Sequence, residues 1–420
     1  MERPMRSALV GLPYDALLEI LARLPARSVY RSKCVAKAWR DIVDDPLNRK
    51  RLPQTLEGFF FLDKPDIVSS GDVEHFGFIS VLPRPVPLDI DPRFSFLTKL
   101  PEMQNLFFLD SCNGILLFVH VRKLDRLDVH YVVCNPATKQ WEAVPTCGCC
   151  LPMGDCSEWS TLLAFDPAVS SHFHLIHFWR EGLVLDEEDQ ALEDQAPVLS
   201  VCAYSSGTGM WSRRSQTEWN SKQGQLEGWR HQGGKLEYPS LSPRRAFVNG
   251  LLHLRVFNLD DDKIVAVDVQ GKTQRIIRMP ATAMGGRHWE LIGYIGQSQG
   301  RLHYINQCFD ALDREQRHKM YIWVLQDYDT QEWVLKDTVS FLKLFGRKNC
   351  SFSRSDYAVV AIHQDCNVVF FLQNLNRLIA YDMDRKEVSV VATFENKILV
   401  DTVAPYVPNF TELPGLKNKL

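Results

Sequence analysis

The chain has 420 residues, 45% hydrophobic and 24% charged, with a net charge of only −3. That length exceeds one ordinary compact core, so it predicts two domains, or one large barrel or propeller with an appendage. The near-neutral balance excludes the field of a nucleic-acid binder, and no run approaches the roughly 18 apolar residues that a membrane span requires.

Residues 1–57 carry 11 Lys/Arg against 7 Asp/Glu, which leaves 37 against 44 in the remainder. The head is mildly basic and the body mildly acidic. Met1–Arg6 runs into a helical stretch with no apolar signal-peptide core, so a cytoplasmic and/or nuclear protein is expected. The 11 cysteines are odd in number and scattered, which favours free thiols over a disulfide framework.

The first predicted element is a short helix after Leu12-Pro13. Pro13 suits a first helical turn, and Asp15 places a negative charge at the positive end of the helix dipole. Leu17, Leu18, Ile20, Leu21 and Leu24 then recur at helical spacing over more than a third of the circumference, until Pro25 ends the run. Ser28 caps a predicted second helix with Val29, Val35 and Trp39 near one stripe. Ile42 and Val43 extend the apolar surface before Asp45-Pro46 breaks it. Burying one Leu or Ile contributes roughly 1.5–3 kcal/mol, and a helix pair this small is below the length that usually folds alone. Another surface must cover it, either the body of the same chain or a partner.

The pattern Leu12-Pro13-x-Asp15-x-Leu17-x-x-Ile20-Leu21-x-x-Leu24-Pro25, then Ser28, Arg31, Cys34-Val35-x-Lys37-x-Trp39-Arg40 and Asp45-Pro46, resembles an F-box. It is most similar to the F-box of plant proteins that carry an F-box-associated, kelch-like β-propeller. The resemblance implies a three-helix module over residues 1–52 that binds a Skp-type adaptor and, through it, a cullin–RING ubiquitin ligase. The adaptor-facing residues it implies are Leu12, Pro13, Leu17, Ile20, Leu21, Leu24 and Pro25, with Val35 and Trp39 on the second helix. Ser32 departs from the pattern, which usually has a larger apolar side chain there.

From Gly58 the texture changes to short apolar runs between turn residues. Asn113-Gly114 precedes Ile115–Val119, then Tyr131–Cys134, a turn at Asn135–Thr138, and Trp141 to Pro145. The same order follows Asn249-Gly250, Gly300 and Asn367, with turns at Gln270-Gly271, Asp329-Thr330 and Asp384-Arg385. Each unit reads as a buried inner strand, a second strand, a hairpin turn and an outer strand. Strand-rich units repeated at this period predict propeller blades, because a unit of two or three strands cannot cover both its faces. A more irregular unit holds Leu162–Phe165, His174–Phe178, Val198–Tyr204 and Trp211-Ser212, and a poorly marked one spans Gly58 to Leu100. The fold class is mainly β, a small helical head followed by a propeller of about six blades over residues 56–410, with five or seven left open. Asn249–His253, Tyr328–Trp333, Leu163–Pro167 and the tail Pro405–Pro408 also resemble the plant F-box-associated propeller.

Candidate chemistry is sparse. Cys147, Cys149, Cys150 and Cys156 form the densest thiol cluster, but only Cys147 and Cys150 have zinc spacing and no second pair answers them. No metal and no cofactor are expected. His172, His174 and His177 surround an apolar strand and read as ordinary strand residues. Asp186–Asp189 with Glu193-Asp194 reads as a solvated acidic loop, and Arg213-Arg214 and Arg244-Arg245 are too few for a nucleic-acid footprint. No phosphate-binding glycine loop, nucleophile elbow or metalloprotease helix is present. The expected function is non-catalytic: a substrate receptor of an SCF (Skp–cullin–F-box) ligase whose propeller binds a target protein of unknown identity. The competing expectations are a propeller enzyme or small-molecule binder, which would gather polar and titratable side chains on the central channel, and a non-degradative F-box scaffold.

Overall fold

The computed structural model describes residues 12–24, 26–45, 48, 56–62, 76–81, 90–100, 103, 106–123, 128–148, 158–180, 199–213, 235–236, 245–257, 263–280, 293–307, 318–347 and 356–418. The head contains α1 (Tyr14–Ala22), α2 (Ala26–Ser32) and α3 (Lys37–Asp44). Periodicity alone predicts one second helix, but the chain breaks it in two. Cys34 and Val35 donate backbone N–H groups to Arg31 O and Ser32 O, a tight turn, and Ala36 is extended ahead of α3. Val35 therefore lies in that turn and Trp39 on α3. The small Ser32 is buried, and its hydroxyl donates to Val29 O at 2.5 Å, closing α2 where a larger side chain would have to point outward.

The body begins with β1 (Gly58–Leu62), β2 (Phe76–Ser80) and the one-turn helix α4 (Ser95–Thr98). The first complete sheet is β3 (Leu106–Cys112), β4 (Ile115–Lys123), β5 (Asp128–Asn135) and β6 (Gln140–Pro145). The second is β7 (Glu158–Ala164), β8 (His174–Arg180), β9 (Leu199–Ser205) and β10 (Met210–Arg213). The third adds the short β11 (Lys235–Leu236) to β12 (Arg245–Val248), β13 (Leu251–Phe257), β14 (Lys263–Val267) and β15 (Thr273–Arg278). The fourth holds β16 (Tyr294–Ser298), β17 (Arg301–Gln307), β18 (Lys319–Asp327) and β19 (Glu332–Ser340). After the short helix α5 (Phe341–Phe345), the fifth is β20 (Tyr357–Ile362), β21 (Val368–Gln373), β22 (Arg377–Asp382) and β23 (Glu387–Thr393). The last strand, β24 (Ala404–Tyr406), pairs with β1, giving a sixth sheet in the order β2-β1-β24. Six antiparallel sheets in this order form a six-bladed β-propeller.

Two expectations need correcting. The strand after Asn113-Gly114, Asn249-Gly250 and Gln299-Gly300 is the second of its blade, because another strand precedes the turn. These innermost strands (β3, β12 and β16) carry Asp110, Arg245 and Gln297, so their sequences lack the continuous apolar run that marks the second strand. The unit placed at Gly58–Leu100 is only two-thirds of a blade, since its innermost strand comes from the far end of the chain. β20 touches β24 and β24 touches β3, which closes the ring.

The turns explain the repeat. At Asn113-Gly114, Asn249-Gly250 and Gln299-Gly300 both residues have positive φ, the two-residue hairpin that matches the twist of its strands. Asn135, Ser205, Asp268, Asp327 and Asp382 each open the third-to-fourth-strand hairpin by accepting the backbone N–H two residues on. All these turns gather at one end of the ring, where the chain enters β1 and leaves β24. There Gly114, at φ 90°, leaves no room for a side chain beside Val407 O. A Cβ at Gly250 or Gly300 meets nothing within 4 Å. We expect Gly114→Ala to cost about 2–3 kcal/mol, while Gly250→Ala costs about 1 kcal/mol from backbone conformation alone. Melting temperatures of the two variants check this; equal shifts would contradict it.

Candidate functional site

The head builds its own small core. Leu17, Leu18, Leu21, Val29, Ile42 and Val43 are buried together, with Leu24 and Trp39 half-buried against them. Asn48 holds the ends, donating from Nδ2 to Ile42 O at 2.9 Å and to the Tyr14 hydroxyl at 2.5 Å, while that hydroxyl donates to Asp45 at 3.2 Å. The nine residues implied by the motif therefore divide. Leu17 and Leu21 point inward, Leu24 and Trp39 straddle the boundary, and Pro25 lies outside the described residues. Leu12 (36% exposed), Ile20 (43%) and Val35 (62%) stay open to solvent, and Pro13 is exposed beside them. Tyr14, 49% exposed, is a further exposed large side chain of the head. Sequence reasoning passed it over because a single aromatic between Pro13 and Asp15 has no periodic partner.

A second polar site lies at the propeller centre, and no motif announced it. Asp110 on β3 is wholly buried; its Oδ2 accepts from Leu163 N at 2.6 Å and its Oδ1 meets the guanidinium of Arg245 on β12. Burial pushes the Arg245 guanidinium down to about 9 and raises the Tyr294 hydroxyl well above its ordinary value. Arg245, read from sequence as half of a short basic pair, is thus a channel residue, whereas Arg214 and Arg244 lie outside the described residues. Around it Ser111 donates to Pro405 O, and Asn113 Nδ2 donates to Phe165 O at 2.7 Å. Gln364 Nε2 donates to Asn113 Oδ1 at 3.2 Å, reaching from the fifth blade to the first.

The remaining candidates stay dispersed. Cys147 is half-buried; Cys149, Cys150 and Cys156 lie outside the described residues, as does the acidic stretch 186–194. Among the described residues, no three His, Cys, Asp or Glu side chains group to hold a metal. His172 and His174 are half-buried at the start of β8. His177 is buried, its Nδ1 2.8 Å from Thr161 Oγ1 and its ring stacked on Trp179. His253 accepts at Nε2 from the Tyr328 hydroxyl of the next blade at 2.8 Å, a seam contact.

Burial lowers His177, His253 and His303 to about 4 each. Between pH 6.5 and 4 the unfolded chain binds protons that the folded chain refuses, so stability falls as pH falls. Each histidine contributes a slope of up to about 1.4 kcal/mol per pH unit. Asp365, raised to about 6 by partial burial, acts in the opposite sense below pH 6. We therefore expect a net loss of stability equivalent to about two protons below pH 6. A melting temperature that holds level from pH 7 to pH 5 would refute this.

A helical head with an open apolar face, followed by a closed six-bladed ring, defines an F-box protein of the propeller type. Residues 9–51 match the F-box domain, and residues 91–403 match the F-box protein At3g26010-like beta-propeller. The second match covers more than half of the chain, and the chain belongs to that family. F-box protein At1g30790 of Arabidopsis thaliana is 24% identical over 352 residues, covering 78% of this chain and 75% of that protein. Putative F-box protein At1g30920 of the same plant is 23% identical over 337 residues, covering 77% and 72%. Among solved structures, an oligogalacturonate lyase in complex with manganese is similar at 10% identity and a TM-score of 0.36, covering 68% of this chain and 63% of that one. That distance says nothing of this chain's chemistry.

Proposed function

We propose that this chain is the substrate-recognition subunit of an SCF ubiquitin ligase, with its head docked on a Skp-type adaptor and its propeller holding a target protein for ubiquitination. The observation that carries the proposal is that Leu12, Tyr14, Ile20 and Val35 remain exposed on a head whose own core is already filled. An isolated exposed apolar residue is ordinary, but four on one small module mark an interface. The contact set is Leu12, Pro13, Tyr14, Ile20 and Val35, with Leu24 and Trp39 at its margin and Leu17 and Leu21 as its support; Pro25 is included on the motif alone. F-box and propeller together, with F-box relatives, support a role of this class in general.

In this function the chain does no bond chemistry of its own. It raises the effective concentration of a target lysine near the charged conjugating enzyme, working in the cytoplasm and/or nucleus. The test is co-purification of the full chain with a Skp-type adaptor against a Leu12→Ala/Pro13→Ala variant. Equal recovery of adaptor by both chains overturns the proposal. If the variant loses target ubiquitination but keeps target binding, the role is degradative; unchanged target levels with intact adaptor binding would instead mark a scaffold.

A further inference from the structure

The propeller centre holds a partly open cavity of about 130 Å³, lined by the first strands of the blades. An engineered apolar cavity of about 150 Å³ takes a benzene molecule, so this one has room for a molecule of about that size. Among the described residues, two charged side chains line it: Asp110, with none of its side chain exposed, and Arg245, with 14% exposed. Most other polar groups on the lining are already paired, Ser111 with Pro405 O, Asn113 with Phe165 O and Gln364, and the Tyr294 oxygen with the Ile362 backbone N–H. Gln297 also lines the cavity, and its side-chain amide has no partner among the described residues.

Three hydrogen-bonding groups thus remain available around one partly open volume. Asp110 Oδ1 meets only Arg245, the guanidinium has further N–H groups, and Gln297 offers both a donor and an acceptor. Because the ion pair is neutral overall, a ligand with net charge would be buried without compensation, at a cost of several kcal/mol. A neutral group meets no such cost. Apolar walls from Phe108, Leu163, Phe247 and Ile362 suit a compact hydrocarbon body.

We propose that the channel binds a small neutral molecule carrying a carbonyl next to an N–H, of the carboxamide or lactam class. The carbonyl accepts from Arg245 or from Gln297 Nε2. The neighbouring N–H donates to Asp110 Oδ1 or Gln297 Oε1, and the hydrocarbon body packs on the apolar walls. This site is separate from the head, and it matches the gathering of polar groups that a small-molecule-binding propeller should show.

The experiment is ligand-observed saturation-transfer NMR on the full chain, with δ-valerolactam as probe, butyramide as competitor and butyrate as the charged control. The lactam should bind saturably with a Kd in the millimolar range or below, about what seven atoms of ordinary ligand efficiency supply. Butyramide should displace it and butyrate should not. Gln297→Leu should weaken the lactam by about tenfold, the worth of one neutral hydrogen bond, without lowering the melting temperature. No saturable signal, displacement by butyrate, or unchanged affinity in folded Gln297→Leu would each overturn the proposal. Adaptor recovery is measured in the same preparations, so failure of the channel site leaves the adaptor proposal standing.

Discussion

Replacing Ile20 by Asp in the full chain should remove adaptor binding while leaving the head folded. Ile20 is 43% exposed and lies outside the buried set of Leu17, Leu18 and Leu21. The substitution therefore costs only a few tenths of a kcal/mol in helix propensity and no core packing. In a desolvated interface the same carboxylate has no partner. Losing a central apolar anchor typically costs about 2–4 kcal/mol, and a buried unpaired charge adds to it, so affinity should fall by roughly 30- to 1,000-fold or more. Leu21→Asp is the contrasting variant, since Leu21 is fully buried and its change should unfold the head outright. Calorimetric titration with a Skp-type adaptor, with circular dichroism of each variant, separates the two outcomes. Affinity within threefold of the parent for Ile20→Asp would rule out the assigned face.

Deleting residues 404–420 should abolish the cooperative melting of the propeller. That segment supplies β24, whose pairing with Gly58–Phe60 joins the two ends of the body. Tyr406 from it is buried against Phe60 and Phe78. It also supplies the tail that crosses the first blade. Leu413 and Leu416 are buried in the seam between the first two blades, and Asn418 exchanges two hydrogen bonds with the Trp141 backbone, at 2.7 and 2.9 Å. Without the segment, the innermost edges of β1, β3 and β20 lose their neighbours, and open strand edges invite aggregation. A shorter deletion, 411–420, removes only the two leucines and the clamp. It should lower stability by about 4–8 kcal/mol, from 2–4 per buried Leu, yet keep one cooperative transition. Scanning fluorimetry and limited proteolysis test both. A parent-like transition for the longer deletion would show that the ring closes without its last strand.

The chain's local chemistry was legible in its local order. Helical spacing of Leu17, Leu21 and Leu24 marked α1, and turn residues at Asn135–Thr138, Gln270-Gly271, Asp329-Thr330 and Asp384-Arg385 marked the hairpins, because a turn or an amphipathic stripe depends on residues a few positions apart. Periodicity alone merged the second and third helices for the same reason, although the F-box resemblance implied three. Apolar spacing from Val29 to Trp39 is compatible with one helix, and the chain breaks instead at the tight turn through Cys34 and Val35 and the extended Ala36.

The sequence by itself determined that there would be a helical head with surplus apolar surface and a body of repeated hairpins too thin to stand alone. Tertiary structure alone decided three further things: which head residues face inward, how the ring closes, and what its centre holds. Each depends on contacts between distant positions. Ser111 reaches Pro405 across 294 residues, and Trp141 reaches Asn418 across 277. Asp110 finds Arg245 only because two innermost strands face one channel. An aspartate and an arginine on separate strands carry no periodic signal, and their pairing becomes visible only when the ring brings their blades around a common axis.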